Sequence, residues 1–199
     1  MVILIGGPSH VGKSTVSESL AVALGWIHVS TDSLARHPGR PWRPALEKVP
    51  DPVVEHYVHL SVEELIEDVL RHYRVNVWPK VEAIVASHSN DPSTNGIVVE
   101  GSAVWPEFAT NLDFGKVAAL WLTASEEVLR HRIRAGSLYS SKSPREQMII
   151  DKFLERTIAY NTRMVDVVNH HGFALVDVTH SDMAELTQRC LSALGIDKL

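Results

Sequence analysis

Cysteine is almost missing from this sequence. Cys190 is the single thiol among 199 residues, so no internal disulfide can form and nothing requires an oxidising compartment. It lies on an apolar helical stripe, which predicts a buried, inert side chain. Positive charge is scarce too. Lys and Arg total 19 against 24 Asp and Glu, a formal net charge of -5, which excludes the broad basic surface that binds nucleic acid by neutralising phosphates. No stretch reaches the roughly 18 consecutive apolar residues of a membrane span, and the run Val2 to Ile5 is far shorter than a signal-peptide core. Internal repeats and low-complexity segments are absent. The expectation is a cytoplasmic protein with neither nucleic acid nor membrane among its partners.

What is present fits one domain over residues 1–199, as a monomer or homodimer. The length suits a single core, and 45% hydrophobic with 22% charged residues is the balance of a globular chain. Short apolar runs predict strands at Val2 to Ile5, Trp26 to Ser30, Ile97 to Glu100, Val117 to Leu122 and Phe173 to Val178. Helix signatures lie between them. Ser61 with Glu64, Thr123 with Glu126 and Ser143 with Glu146 read as capping boxes, Gly25 and Gly172 read as helix stops, and a helix runs from about Pro144 to His170. Met183, Leu186, Cys190, Leu191 and Leu194 mark a closing helix. Alternating strands and helices predict an α/β three-layer sandwich around a parallel sheet.

Two stretches depart from that alternation. Residues 33–90 form a mostly helical insertion, and residues 135–143 a short polar loop between helices. In a parallel sheet ligands sit beyond the carboxyl ends of the strands, which makes both stretches candidate moving parts over a site.

Gly7-Pro-Ser-His-Val-Gly12-Lys13-Ser14-Thr15 matches G-x-x-x-x-G-K-[ST] in full, directly after a buried strand and before an amphipathic helix. Glycines let such a loop curl so that successive N–H groups point at phosphate oxygens, reinforced by the positive end of the following helix. Gly7, Ser9, His10, Val11, Gly12, Lys13, Ser14 and Thr15 are therefore nucleotide-binding candidates. In His10 the backbone N–H is expected to matter more than the ring. Lys13 reaches for the β and γ phosphates, and Ser14 places its hydroxyl on Mg²⁺, a hard cation that takes oxygen ligands.

Other motifs narrow the class. No N-K-x-D guanine-reading motif occurs, the third strand ends in Val98-Val-Glu-Gly-Ser102 rather than D-x-x-G, and the chain is too short for an AAA-type motor with its lid domain. A kinase of small molecules remains. Glu100, a charge at the end of a buried strand, is expected to face Mg²⁺-bound waters or a substrate group, or else to pair with a core cation. Ser102 reads either as a substrate contact or as a cap for the Trp105-Pro-Glu-Phe segment. Arg36, His37, Arg40, Trp42 and Arg43 concentrate positive charge and an aromatic ring, which suits an acceptor bearing a phosphate or carboxylate. His56, His59, His170 and His171 lack metal-ligand spacing and read as surface or helix-end residues.

The sequence resembles the small P-loop kinases, the group of adenylate, shikimate and gluconate kinases, chloramphenicol phosphotransferase and the zeta toxins. The resemblance spans nearly the whole chain. Gly7 to Thr15 carries it most strongly, with Ser30-Thr-Asp32, Val98-Val-Glu-Gly101, Phe153-Leu-Glu-Arg156 to Asn161, and Leu175 to Thr179. It implies a five-stranded parallel sheet in the order 2-3-1-4-5, a substrate-binding insertion and a short lid at about 132–156.

It further implies that Asp32 accepts or orients the proton of an acceptor hydroxyl, that Arg132 and Arg156 neutralise charge on the transferred phosphoryl group, and that adenine lies near Val178 and Thr179. The implied reaction is Mg-dependent transfer of the γ-phosphoryl group of ATP to a hydroxyl of a small anionic metabolite. A nucleotide monophosphate kinase and a nucleotide-binding regulator or weak ATPase are the competing readings.

Overall fold

In the computed structural model, residues 1–35, 39–42, 49–90, 95–113 and 115–196 are described. Strand β1 (Val2–Gly6) leads through the loop to α1 (Lys13–Leu24), β2 (Ile27–Ser30) and a 3₁₀ turn (Thr31–Ser33). Next come α2 (Asp51–His59), α3 (Val62–His72), a π-helical turn (Tyr73–Val77) and α4 (Trp78–Asn90). The chain continues through β3 (Ile97–Glu100), α5 (Pro106–Ala109), β4 (Val117–Thr123), α6 (Glu126–Ser137), α7 (Pro144–His171), β5 (Ala174–Asp177) and α8 (Met183–Ala193).

The strands form one parallel sheet in the order β2-β3-β1-β4-β5, as expected. Strand β1 is central, and its four residues Val2 to Ile5 are fully buried. Val2 and Leu4 pack on one face with Val81, Trp105 and Met164; Ile3 and Ile5 pack on the other with Val16, Leu20 and Cys190. That period-2 division is why an unbroken apolar run is a strand here, and each such side chain contributes about 1.5–3 kcal/mol by leaving water.

The register sets the site. Ile5 and Ser30 both pair with Glu100, so the phosphate loop, the end of β2 and the end of β3 emerge side by side. A third apolar cluster joins Trp42, Val53, Tyr57 and Leu65 of the insertion to Ile133, Ile149, Ile150 and Phe153 of α6 and α7. This cluster roots the insertion on the two helices that follow β4.

The insertion is helical, with an irregularity that has a cause. Pro79 lacks a backbone N–H, and in an α-helix its ring would collide with the carbonyl four residues back. The π turn over Tyr73–Val77 lies just before it and relieves that conflict. The capping boxes at Ser61 and Ser143 are formed, and Gly25 and Gly172 end their helices in left-handed geometry.

The third capping box is corrected. Ser125, not Thr123, caps α6 by accepting the Val128 N–H, because β4 runs on through Thr123, whose hydroxyl donates to Asn161. Strand ends shift by a residue: β2 starts at Ile27, and β5 spans Ala174–Asp177.

Residues 138–143 are a tight turn rather than an extended flap. Leu138 takes φ 53, Tyr139–Ser141 make a 3₁₀ turn, the Tyr139 hydroxyl donates to Asp151, and Gln147 donates to the Tyr139 carbonyl. Arg134 also reaches Asp151 at 3.2 Å and lies over the Tyr139 ring. Among the described residues no helix is long and apolar enough to cross a membrane. Cys190 is buried, and its apolar surroundings push the thiol up to about 11.

Candidate active site

A cavity of about 690 Å³ opens at the carboxyl ends of β1, β2 and β3. Its floor is the phosphate loop: Ser9, His10, Gly12, Lys13, Ser14 and Thr15 all line it. Gly7 is buried at φ 147, and a Cβ there would lie 2.8 Å from the Leu122 carbonyl oxygen, so the tight turn out of β1 needs glycine. Val11 is a core residue whose side chain packs under the loop.

Lys13 is buried and its Nζ donates to the Pro8 carbonyl at 2.9 Å, which curls the side chain back over the loop. Burial pushes its ammonium below the ordinary lysine range; Glu100 and Asp32 oppose that shift and Arg40 adds to it. Glu100 is 2% exposed, and its Oε1 accepts from the Ser14 hydroxyl at 3.1 Å, with His28 Nε2 4.0 Å away. The buried carboxylate thus meets the loop's serine.

Those two oxygens fit Mg²⁺. The ion is commonly held by one or two carboxylates together with substrate phosphates and waters, so a cage of several acidic residues is unnecessary. Among the described residues there is no group of three or more His, Cys, Asp or Glu that could hold a metal ion.

Asp32 lies in the 3₁₀ turn after β2 and lines the same cavity. It caps nothing. Ser30 is the N-cap and accepts the Asp32 N–H at 3.4 Å, so the Asp32 carboxylate is left to the cavity. Ser102 lines the cavity as well, and its carbonyl accepts from the Tyr160 hydroxyl at 2.6 Å. Its capping alternative fails, since Trp105 is the N-cap of α5 and makes no side-chain cap bond.

The arginines divide by location. Arg132 Nη1 donates to the Val11 carbonyl at 2.7 Å and the His10 carbonyl at 3.4 Å, so it clasps the phosphate loop from outside. Arg40 lines the cavity near the loop: its charge acts on both His10 and Lys13. Arg156 is 7% exposed, and its guanidinium carbon lies 4.7 Å from the Phe153 ring centroid and 5.6 Å from that of Tyr57. Its Nη1 is buried without a hydrogen-bond partner among the described residues, although the residue lines the cavity. A buried guanidinium with an orphaned donor is costly unless a ligand satisfies it. Arg36 and Arg43 lie outside the described residues.

Val178 and Thr179 are apart from this cavity. Val178 is 2% exposed in the core, and the Thr179 hydroxyl accepts the Ser125 N–H at 2.9 Å, which joins the segment after β5 to the start of α6. His59, His170 and His171 are exposed in the last turns of their helices, as read from the sequence, whereas His56 is partly buried beside Asp68.

Sequence reasoning missed several cavity residues, among them His72 at the end of α3 and Tyr73 and Val77 of the π turn. The signal was Trp78-Pro79 inside an otherwise helical run, where proline demands an irregular turn before it. Burial pushes the Tyr73 hydroxyl up to about 12, so it stays a neutral donor.

Comparison with known proteins agrees with this architecture. The AAA domain family matches residues 2–156, from β1 to the arginine on α7. The chain belongs to the AAA domain family. Its fold is shared with solved small P-loop kinases. A gluconokinase from Sinorhizobium meliloti 1021 is 21% identical, covering 98% of this chain and 91% of that one, with a TM-score of 0.55. A deoxyadenosine kinase from M. mycoides with bound dATP is 16% identical over 98% and 100%, with a TM-score of 0.52. A shikimate kinase from Aquifex aeolicus is 16% identical over 98% and 96%, with a TM-score of 0.51. No curated protein matches this member of the AAA domain family by sequence.

Proposed function

We propose that this protein is an ATP- and Mg²⁺-dependent kinase that transfers the γ-phosphoryl group to a hydroxyl of a small anionic metabolite. The observation that carries the reading is one cavity that Asp32 lines together with Lys13, Ser14 and Glu100. A phosphate loop alone binds nucleotide; a carboxylate opposite it has a use when the acceptor is a hydroxyl. The phosphate loop and the solved kinases of the same fold, one with bound dATP, support a nucleotide phosphoryl donor.

In this reading the loop N–H groups from Ser9 to Ser14 bind the β and γ phosphates, and Lys13 leaves the Pro8 carbonyl for the phosphate oxygens. Ser14 and Glu100 hold Mg²⁺, which when bound neutralises charge on the triphosphate. The acceptor oxygen forms a bond to the γ-phosphorus as the bond from that phosphorus to the β–γ bridging oxygen breaks. The hydroxyl proton passes to the Asp32 carboxylate, and the bridging oxygen leaves with ADP. Arg40 and Arg132 offset charge beside the loop. Arg156, with its unsatisfied Nη1, offers a hydrogen bond to the anionic end of the acceptor or to the transferred group.

The expected partners are thus ATP and a small anionic acceptor. The test is a screen of pooled metabolites with Mg·ATP, scored by acceptor-dependent ADP release in native protein and in Asp32→Asn. A many-fold stimulation that falls by about 10² in the variant supports a hydroxyl acceptor. Undiminished transfer in Asp32→Asn points to a phosphate acceptor such as a nucleotide monophosphate, which needs no base. Tight ATP binding with no stimulation by any pool overturns the kinase reading in favour of a nucleotide-dependent regulator.

A further inference from the structure

His10 occupies a position in the phosphate loop where a side chain is unfavourable. Its φ is 64, left-handed geometry that costs glycine nothing and other residues about a kcal/mol or more. The ring is used for something. It lies 5.5 Å from the Trp42 ring and 6.2 Å from the Phe153 ring, and those two meet edge to face at 5.0 Å. Three rings from three regions therefore form one aromatic joint: the phosphate loop, the insertion wall and α7. A Cβ on Gly136 would lie 3.6 Å from His10 Nε2, so the end of α6 also borders the ring.

The main chain of His10 is held as firmly, through Arg132 on its carbonyl. The segment at the other end of the joint has its own anchor, the Tyr57 hydroxyl donating to the Gly39 carbonyl at 2.7 Å. Nδ1 of His10 is buried with no hydrogen-bond partner among the described residues. An imidazole kept for polarity would have one; here the ring works by packing.

The geometry points to His10 as a positioning residue that ties the phosphate loop to the acceptor-side wall, so that nucleotide on the loop orders the Gly39–Trp42 segment carrying Arg40. This rests on the nucleotide-binding role of the loop given above. Ordering of this kind is reciprocal: an acceptor held against Arg40 and Trp42 then tightens nucleotide binding by the same factor.

The experiment is hydrogen exchange of the Arg40 and Trp42 amides in the full chain, with and without Mg·AMP-PNP, alongside the nucleotide affinity measured by calorimetry. Native protein, His10→Gly and His10→Asn are compared. Both variants tolerate positive φ, and His10→Asn decides the matter should His10→Gly fail to fold. In native protein, nucleotide slows exchange at these amides by about fivefold or more, the lower range of ordinary coupling factors. In the variants, at nucleotide concentrations that the calorimetry shows to be saturating, the slowing disappears.

Slowing that persists in the variants overturns the inference. Variants that no longer bind AMP-PNP overturn it too, because the ring would then belong to the nucleotide site itself. Native protein that binds AMP-PNP without slowing exchange refutes the coupling alone, whereas native protein that does not bind it refutes the nucleotide reading as well.

Discussion

The proposed phosphate side and the proposed acceptor side of the cavity are built by opposite means. The phosphate side is nearly all local: nine consecutive residues, Gly7 to Thr15, supply backbone N–H groups, a lysine and a serine, and one carboxylate, Glu100, joins them from the adjacent strand. The acceptor side is assembled from side chains far apart in the chain. Asp32 comes from the turn after β2, Arg40 and Trp42 from the insertion, Tyr73 from a π turn, and Phe153 and Arg156 from α7. A site made of backbone can be kept while acceptors change; a site made of scattered side chains can be altered one residue at a time.

The comparison can be broken first at Lys13. Lys13→Ala should lower acceptor-dependent ADP release by about 10²–10³-fold, the range for removing one donor that stabilises developing charge. A loss under tenfold would show that the phosphate side is not organised around this residue.

Gly101→Ala tests whether the acceptor side depends on exact placement. Gly101 has φ +152, and a Cβ there would lie 1.7 Å from Thr31 Oγ1, so Thr31 and the neighbouring Asp32 must shift. The expected result is a fall of about 10² in turnover with nucleotide affinity little changed. Equal loss of both would mean that the two sides are not separable.

The joint between them has a pH signature. Burial, reinforced by Arg40, Lys13 and Arg132, lowers His10 from 6.5 to about 4. A depressed histidine is protonated more readily in the unfolded chain, so its contribution is full above about pH 6.5 and is lost as pH falls toward 4. Denaturant titrations should show native protein losing up to about 3 kcal/mol relative to His10→Asn over that window. Parallel curves for the two proteins would mean that the imidazole is not buried at the joint.

The smallest effect lies outside the cavity. Ser125→Ala should cost about 1 kcal/mol of stability through the lost cap on α6. A melting temperature unchanged from native would refute the cap assignment.

The two sides were unequally legible for the same reason. The Gly7 to Thr15 loop, the buried β1 and the parallel alternation follow from short-range patterns, because backbone geometry is set by neighbours in sequence. Glu100 was legible as an anomaly, a charge closing an apolar run. Tyr73 and Val77 were not, since their inward turn depends on how one proline is accommodated. Thr123 misled for a related reason: its spacing to Glu126 suits a cap, but its pairing with Asp177 of β5 makes it the last residue of β4. For Arg40 and Arg156 the residues drew notice, yet their surroundings arise only when α2, the π turn and α7 pack together.

By itself the sequence determined the sheet, its order through the resemblance, and the loop motif, and it singled out Lys13, Ser14, Asp32 and Glu100, which the structure brings into one cavity. Only the tertiary structure decided that Arg132 clasps the loop from outside, that Arg156 is buried against Phe153 and Tyr57, and that His10 meets Trp42 and Phe153. The physical reason is range. Dihedral preferences and periodicity act over a few residues, whereas the partners of an aromatic ring are chosen by packing between segments distant in sequence, 32 positions for His10 and Trp42 and 143 for His10 and Phe153.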